Sequence, residues 1–393
     1  MSLYLRVAES EDPGRLAALR SEWGELFDAA GQPNPFLSWE WLFSFWRAFG
    51  QRRRLRILEA RGPGARLDGV LVLQGRRAVI GPRHYTLLGN GVAGADGLDV
   101  LARPGTEAQV RSAVASHLAR TLPAWDVLDL EDLPSGSATA AALARALAPL
   151  GVEVELTPRF TCPGFVPRGT FAEHLRRIAR RETFGRRCRW LARQRGFRIE
   201  VATAVGEMAE AIEDFLRLHR LRWAPEGGSY GIPPGRVEDF HRAVAPLLAA
   251  RGFMRLYRLF VGGRSVAAVY GLELGGRFYY YQSGMDPEWA ARSPGMVLTG
   301  RTVEDAYARG LSFYDFLRGT EPYKLEWAAE GRETVALRLR SPGLRAEALQ
   351  AAEGAFRAAR GAARAVAPER LWLALRRARR NLLLGAMGGI EGQ

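Results

Sequence analysis

Three strand-like runs, residues 253–261, 264–274 and 277–285, follow one another with only Gly262-Gly263 and Gly275-Gly276 between them. A two-residue loop between antiparallel strands favours the primed turns, whose central residues need positive φ, and a glycine pair supplies it at both positions. The two pairs therefore dictate a three-stranded antiparallel meander with little freedom to slip its register. A helical pattern over 294–309 and a strand over 311–317 come next. Such a crossover brings the second strand parallel to the last strand of the meander. Upstream, a strand at 197–203 leads into helical segments at 206–222 and 234–250, and a final strand is expected at 334–340. This half reads as α/β, with a mixed, partly antiparallel sheet flanked by helices.

The first half carries a fainter version of the same order. An acidic helical segment near 11–30 stops at Pro33-Asn34-Pro35, and an aromatic helix follows over Phe36 to Trp46 with Ser38 as its cap. Strand runs at 55–60, 67–74, 84–89, 97–101 and 126–130 come with helical patterns at 106–122 and 135–150. Segments 152–156 and 159–166 read as connecting strands ahead of a basic helix, 176–198. A chain of 393 residues is long for one core, so two domains are expected.

Charge narrows the partners and a single residue narrows the chemistry. The formal charge is +14, with eleven Arg over residues 168–198 against Glu173 and Glu182, which favours anions such as nucleotide phosphates, RNA or an acidic membrane face. Of the 56 basic residues only Lys324 is lysine. Arginine keeps its proton and needs room for a planar fork, whereas lysine is a compact point charge, so Lys324 is singled out. Its surroundings fit neither a P-loop nor a kinase core. The two cysteines, Cys162 and Cys188, read as packing residues, and the five histidines show no metal-like spacing, so no metal is expected. Apolar runs fall short of a membrane span and the N-terminus lacks a signal pattern, so a soluble, cytoplasmic protein is expected.

Other residues qualify by type and place. Arg292-Ser293-Pro294-Gly295-Met296-Val297 opens the crossover helix: Ser293 can cap, Pro294 suits the first turn, Gly295 lets backbone approach a ligand, and the helix start offers free N–H groups to a phosphate. Arg277-Phe278-Tyr279-Tyr280-Tyr281-Gln282-Ser283 alternates, placing Tyr279, Tyr281 and Ser283 on one face and Phe278, Tyr280 and Gln282 on the other. Asp315 falls near the carboxyl end of the parallel strand, where loops commonly carry function. Arg318, Glu321, Tyr323, Lys324 and Trp327 follow within one short stretch. An ion-pair cluster of Asp315 with Arg318 and of Glu321 with Lys324 is the competing reading.

The order of elements resembles that of the GNAT acyltransferases, twice in tandem. Asn34-Pro35-Phe36-Leu37-Ser38-Trp39-Glu40-Trp41, the Arg-rich mid-chain helix, Ser293-Pro294-Gly295 and Tyr314-Asp315-Phe316 through Trp327 resemble the Acetyltransf_6 group, the CelD/BcsL-like cellulose-biosynthesis acetyltransferases, relatives of the Fem aminoacyl transferases. The resemblance implies a degenerate GNAT-like domain over 1–160, an acyltransferase domain over 161–342, and a basic helical tail over 343–393. It implies acetyl-CoA or another acyl-CoA as donor, held by Arg292, Ser293, Gly295 and Met296, with Val297 where the family has a small residue. The acceptor would be an amine or hydroxyl of a sugar-derived metabolite or saccharide precursor. Lys324 resembles a Fem lysine and would stabilise an anion, with Asp315 or Glu321 as base, Tyr281 as hydroxyl donor, and Arg318, Tyr323, Trp327 and Trp41 contacting substrate. Two other readings stay open: a Fem-like enzyme fed by charged tRNA through helix 176–198, and an inactive scaffold. The tail, with a helix expected from Pro368, is read first as docking on the protein itself or on a partner such as envelope-polysaccharide machinery, with an anionic membrane surface as the alternative.

Overall fold

Both glycine pairs make the turns demanded of them, with φ of 60° and 83° at Gly262 and Gly263 and of 57° and 72° at Gly275 and Gly276. The computed structural model describes residues 5–31, 34–76, 81–178, 181–229, 231–328 and 330–366. It divides into two compact units, one of Met1–Gly31, Phe45–Pro158 and Val335–Gln393, the other of Gln32–Ser44 and Arg159–Thr334.

In the second unit the meander strands Met254–Val261, Arg264–Leu274 and Arg277–Met285 pair antiparallel as expected, with Arg198–Ala202 added antiparallel to the first of them. Helix Pro294–Ala308 crosses over to strand Phe313–Asp315, which lies parallel to Arg277–Met285. One face of this sheet meets Pro294–Ala308 in a core that includes Phe278, Tyr280, Val297, Leu298, Tyr314 and Trp327. Helices Met208–Trp223 and Arg236–Ala250 bury Phe215, Leu216, Phe240 and Val244.

The first unit repeats the order. Strands Arg6–Ser10, Arg53–Arg61, Leu67–Arg76 and His84–Leu87 pair antiparallel in sequence, and after helix Glu107–Arg120 strand Val127–Pro134 lies parallel to His84–Leu87. Helices Arg20–Ala29 and Ala138–Leu147 complete the pattern. The chain is thus mixed α/β, with one order of elements used twice.

Several boundaries differ from those read in sequence. The aromatic helix Trp39–Phe49 is capped by Ser38, whose Oγ accepts from Trp41 N–H at 3.3 Å, yet residues through Ser44 belong to the second unit. Strand Glu330–Arg340 serves both units, so the second unit ends at Thr334 and not at 342. The two short strands expected at 152–166 are one, Glu153–Phe165. The basic stretch is two helices, Phe171–Arg177 and Arg181–Ala192, because Ile178 leaves helical geometry at ψ 141°. Of 97–101 only Leu101–Ala102 forms a strand. The tail begins as helix Leu344–Val366, and the helix expected from Pro368 lies outside the described residues. Among the described residues no helix is long and apolar enough to cross a membrane.

Candidate functional site

The parallel pairing of Arg277–Met285 with Phe313–Asp315 stops after three residues, at Tyr279 opposite Asp315. Beyond that point the first strand continues to Met285, still paired on its other edge, while the chain after Asp315 turns away. Leu317 makes the turn in left-handed geometry, φ 58°, which a branched side chain adopts at a cost of about 1–2 kcal/mol. Asp315 offsets that cost. Its Oδ1 accepts from Leu317 N–H at 2.8 Å and its Oδ2 accepts from Arg332 Nε at 2.8 Å. The amides of Phe316 and Gly319 are drawn instead to the carbonyls of Pro163 and Thr161. The two strands therefore part, and Tyr280, Phe316 and Tyr323 pack in the wedge between them, the rings of Phe316 and Tyr323 centred 5.3 and 6.3 Å from that of Tyr280, with Tyr280 and Phe316 buried.

Helix Pro294–Ala308 begins just past the carboxyl end of the strand that forms one side of this wedge. Ser293 sits before it in left-handed geometry, φ 54°, and its hydroxyl makes no cap, contrary to the sequence expectation. Pro294 has no N–H, and the first amide bonded back is Val297, to Ser293 O at 3.2 Å. The N–H groups of Gly295 and Met296 have no partner among the described residues. A Cβ on Gly295 would meet nothing nearer than Met285 Sδ at 3.4 Å, so packing does not demand glycine there. Arg292 is exposed, its guanidinium 4.3 Å from the ring of Trp190. Unpaired amides and the positive end of a fifteen-residue helix are groups able to receive an anion, and Arg292 precedes them in the chain. These residues fit a diphosphate-bearing acyl donor.

Lys324 is 6% exposed, on the short helix Pro322–Trp327. Its Nζ donates to the carbonyl of Arg318 at 2.7 Å and lies 2.9 Å from Glu321 Oε2, so it closes the loop after the parallel strand. An ammonium has three donors and two are spent. The Glu321–Lys324 pair of the ion-pair reading is present, whereas Asp315 pairs with Arg332 and not with Arg318. Tyr323 is 38% exposed. The Arg318 guanidinium stands 5.6 Å from the ring of Phe160. Trp327 is buried in the core beside Phe184 and His174, where it packs.

The alternation of the tyrosine strand sorts as its period requires. Tyr280 faces helix Pro294–Ala308, its hydroxyl 3.1 Å from Thr299 Oγ1, and burial raises its pKa so that the phenol keeps its proton. Tyr281 faces the other side, with Trp41, Phe36, Tyr270 and His241. A bulge places Tyr270 opposite Gln282 and Gly271 opposite Tyr280, leaving Tyr281 as the extra residue. The Tyr281 hydroxyl lies 3.5 Å from His241 Nε2, and burial pushes the His241 pKa down to about 3, so this ring is neutral. Thr299 and His241 were not singled out in sequence, whereas Tyr280 was named there among the tyrosines of its strand. Packing across the sheet, which no residue pattern announces, shows which tyrosine meets which face. Cys188 is pushed up to about 11 by burial, in keeping with packing. Among the described residues no three His, Cys, Asp or Glu side chains gather into a metal-sized group.

Residues 179–325 match the family model described as an acetyltransferase (GNAT) domain. The wedge and the helix start both lie inside this stretch. Among solved structures, the chain is similar to FemX at 10% identity and TM-score 0.56, over 81% of this chain and 95% of that one. It is similar to a conserved Bacteroides thetaiotaomicron protein of unknown function at 12% identity and TM-score 0.53, over 85% and 100%. It is also similar to the C-terminal domain of an Agrobacterium fabrum protein assigned as a lysylphosphatidylglycerol synthetase, at 9% identity and TM-score 0.52, over 86% and 96%. Likeness at such identities concerns the fold. No curated protein sequence matches the chain.

Proposed function

We propose that the protein transfers an acyl group, taken from acetyl-CoA or another acyl-CoA, to an amine or hydroxyl acceptor, and that the sugar-derived acceptors implied by the sequence resemblance are the first to try. The observation that carries this reading is the placing of two unpartnered amides, Gly295 and Met296, at the mouth of the wedge between parted parallel strands. Those amides and Arg292 would hold the donor's diphosphate, and the wedge beside Tyr280 would take its extended arm. In acyl transfer, charge builds on the carbonyl oxygen as the acceptor attacks, and a fixed donor or cation nearby lowers that barrier. Lys324, held by Arg318 and Glu321 with one N–H to spare, is the cation nearest this task in our reading. Glu321, with half its side chain exposed, is the carboxylate able to receive an acceptor's proton. Asp315, whose two oxygens are both engaged, serves by holding the wedge open.

A second reading is favoured by the arginines of helix Arg181–Ala192 and the turn after it. Arg181, Arg186, Arg187, Arg189, Arg193 and Arg195 form no ion pair among the described residues, whereas Arg198, Arg217, Arg220, Arg242, Arg255 and Arg258 of the same unit all do. An unneutralised cationic run beside Trp190 suits an RNA backbone and thus an aminoacyl donor carried on tRNA. Thermal-shift titrations decide between the two. Stabilisation by acetyl-CoA that Arg292→Ala weakens supports the first; salt-sensitive tRNA binding without a response to acetyl-CoA supports the second. A protein that responds to neither ligand contradicts both.

A further inference from the structure

The first unit holds a cavity of about 280 Å³ that acyl transfer does not use, lined by Glu11, Pro13, Trp46, Arg53, Arg54 and Leu55. It lies where strand Arg53–Arg61 begins and strand Leu67–Arg76 ends, with Arg53 opposite Arg76 in register. Farther along the first of these strands the arginines are matched, Arg56 with Glu9 and Arg61 with Glu22 and Glu59. Arg52, Arg53, Arg54 and Arg76 form no ion pair among the described residues. Burial, and then the charge of Arg76, push the pKa of Arg53 down, as happens to a cation short of a counter-ion. Its guanidinium is nevertheless held in place. Gln74, 2% exposed, gives its Nε2 to the carbonyl oxygens of Leu87 at 3.2 Å and Asn90 at 3.3 Å, which can only accept, so its Oε1 is the atom turned to Arg53 Nη1, at 2.7 Å. The other N–H donors of Arg53 have no hydrogen-bond acceptor among the described residues. Trp46 is fixed as firmly. A Cβ on Gly50 would stand 2.6 Å from Trp46 Cδ2, closer than packed atoms come, so glycine there lets the indole lie against the backbone. That indole is half-buried and meets no other ring among the described residues. Glu11 is exposed, forms no ion pair among the described residues, and offers acceptors to hydroxyl groups.

We propose that this cavity is a binding site for a nucleoside monophosphate, with the phosphate on Arg53, the base against Trp46 and the ribose hydroxyls toward Glu11. An arginine fork meets phosphate oxygens in pairs, and any base can stack on an indole. The volume is close to the roughly 300 Å³ at which small-molecule pockets begin. The site belongs to the first unit, whereas the amides of Gly295 and Met296 belong to the second, and it does not rest on the acyl-transfer reading.

Calorimetric titration of the full chain with AMP, adenosine and inorganic phosphate tests the site, in wild type, Arg53→Gln, Trp46→Leu and Arg52→Gln, with thermal unfolding of each ligand-free variant as the check on folding. Arg52 is exposed, carries the same charge one residue away and does not line the cavity, so its variant reads the effect of charge alone. AMP is expected to bind wild type at least about tenfold more tightly than adenosine or phosphate does. Arg53→Gln and Trp46→Leu are each expected to weaken AMP at least about tenfold, the effect of losing charged hydrogen bonds or a stacked base, while Arg52→Gln changes its Kd by less than about threefold. Wild type that does not bind AMP overturns the proposal. Phosphate that binds as tightly as AMP also overturns it, since the indole then takes no part. Equal losses in Arg52→Gln and Arg53→Gln mean an adventitious ion only, with the same consequence. AMP affinity kept in both Arg53→Gln and Trp46→Leu puts the nucleotide elsewhere and sinks the site. Should Arg53→Gln fail to fold, Arg53→Lys is read in its place: it keeps the charge and loses the fork, so AMP is expected to weaken at least about threefold, and unchanged affinity overturns the role of Arg53.

Discussion

Gly295→Ala separates a glycine kept for a ligand from one kept for the fold. Gly295 lies in the first turn of helix Pro294–Ala308 and its φ is not positive, so alanine fits the backbone. The added Cβ would stand 3.4 Å from Met285 Sδ, an ordinary contact. Replacing a helical glycine by alanine stabilises by about 0.5–1 kcal/mol, which for a unit of this size raises Tm by about 1–4 °C. The methyl would, however, crowd a phosphate brought against the unpartnered amides of Gly295 and Met296. Hydrogen bonds to a charged group are worth about 1.5–3 kcal/mol each, so pushing a phosphate off both amides costs about 3–6 kcal/mol, or roughly 150- to 25,000-fold in Kd. Calorimetric titration with acetyl-CoA alongside thermal unfolding reads both. The expected outcome is a protein at least as stable as wild type that binds acetyl-CoA at least about 150-fold more weakly. Unchanged affinity refutes the ligand argument; affinity lost together with stability means that the glycine serves packing.

Lys324→Arg is expected to lose at least tenfold in turnover, as Lys324→Ala does, because a site 6% exposed and closed by the Arg318 carbonyl suits an ammonium and not a guanidinium fork; steady-state kinetics with circular dichroism as a folding check reads this, and wild-type turnover in both sinks the role. Gly284→Ala is expected to destabilise by about 1–3 kcal/mol in urea unfolding, since its Cβ would lie 2.4 Å from the backbone nitrogen of His219. Burial pushes the pKa of His219 down to about 4 and that of His241 to about 3, against 6.5 for an exposed histidine. Unfolding lets both rings take up protons that the folded protein refuses, so stability is full above pH 6.5 and falls as the pH drops toward 4, by about 3 kcal/mol for each ring. Urea midpoints that stay flat from pH 7 to 4.5 would contradict that burial.

Local signals were legible where one residue type decides the geometry. The glycine pairs fixed the meander, Ser38 capped its helix, and Ser293-Pro294-Gly295 marked the start of the crossover helix. What escaped notice depends on residues far apart in sequence. Nothing in Gln32–Ser44 says that it leaves the first unit for the second, because an aromatic, amphipathic stretch packs equally well against either core. The strand Glu153–Phe165 looked like two because Pro158 and Pro163 are strand breakers unless their missing N–H faces an unpaired position. Asp315 read as a catalytic carboxylate, since sequence shows neither the left-handed Leu317 that it braces nor its partner Arg332. The bulge at Tyr281 was invisible for the same reason: it is a property of a pairing, not of a residue.

Acyl-CoA binding as proposed above brings the donor's diphosphate onto the amides of Gly295 and Met296. The most direct measurement is the change in the amide resonances of protein labelled with 15N at glycine and methionine as acetyl-CoA is added. Gly295 and Met296 are expected to shift most, with Gly284 and Met285 on the neighbouring strand next. Binding that leaves these two resonances in place while others move would contradict it, as would no binding at all.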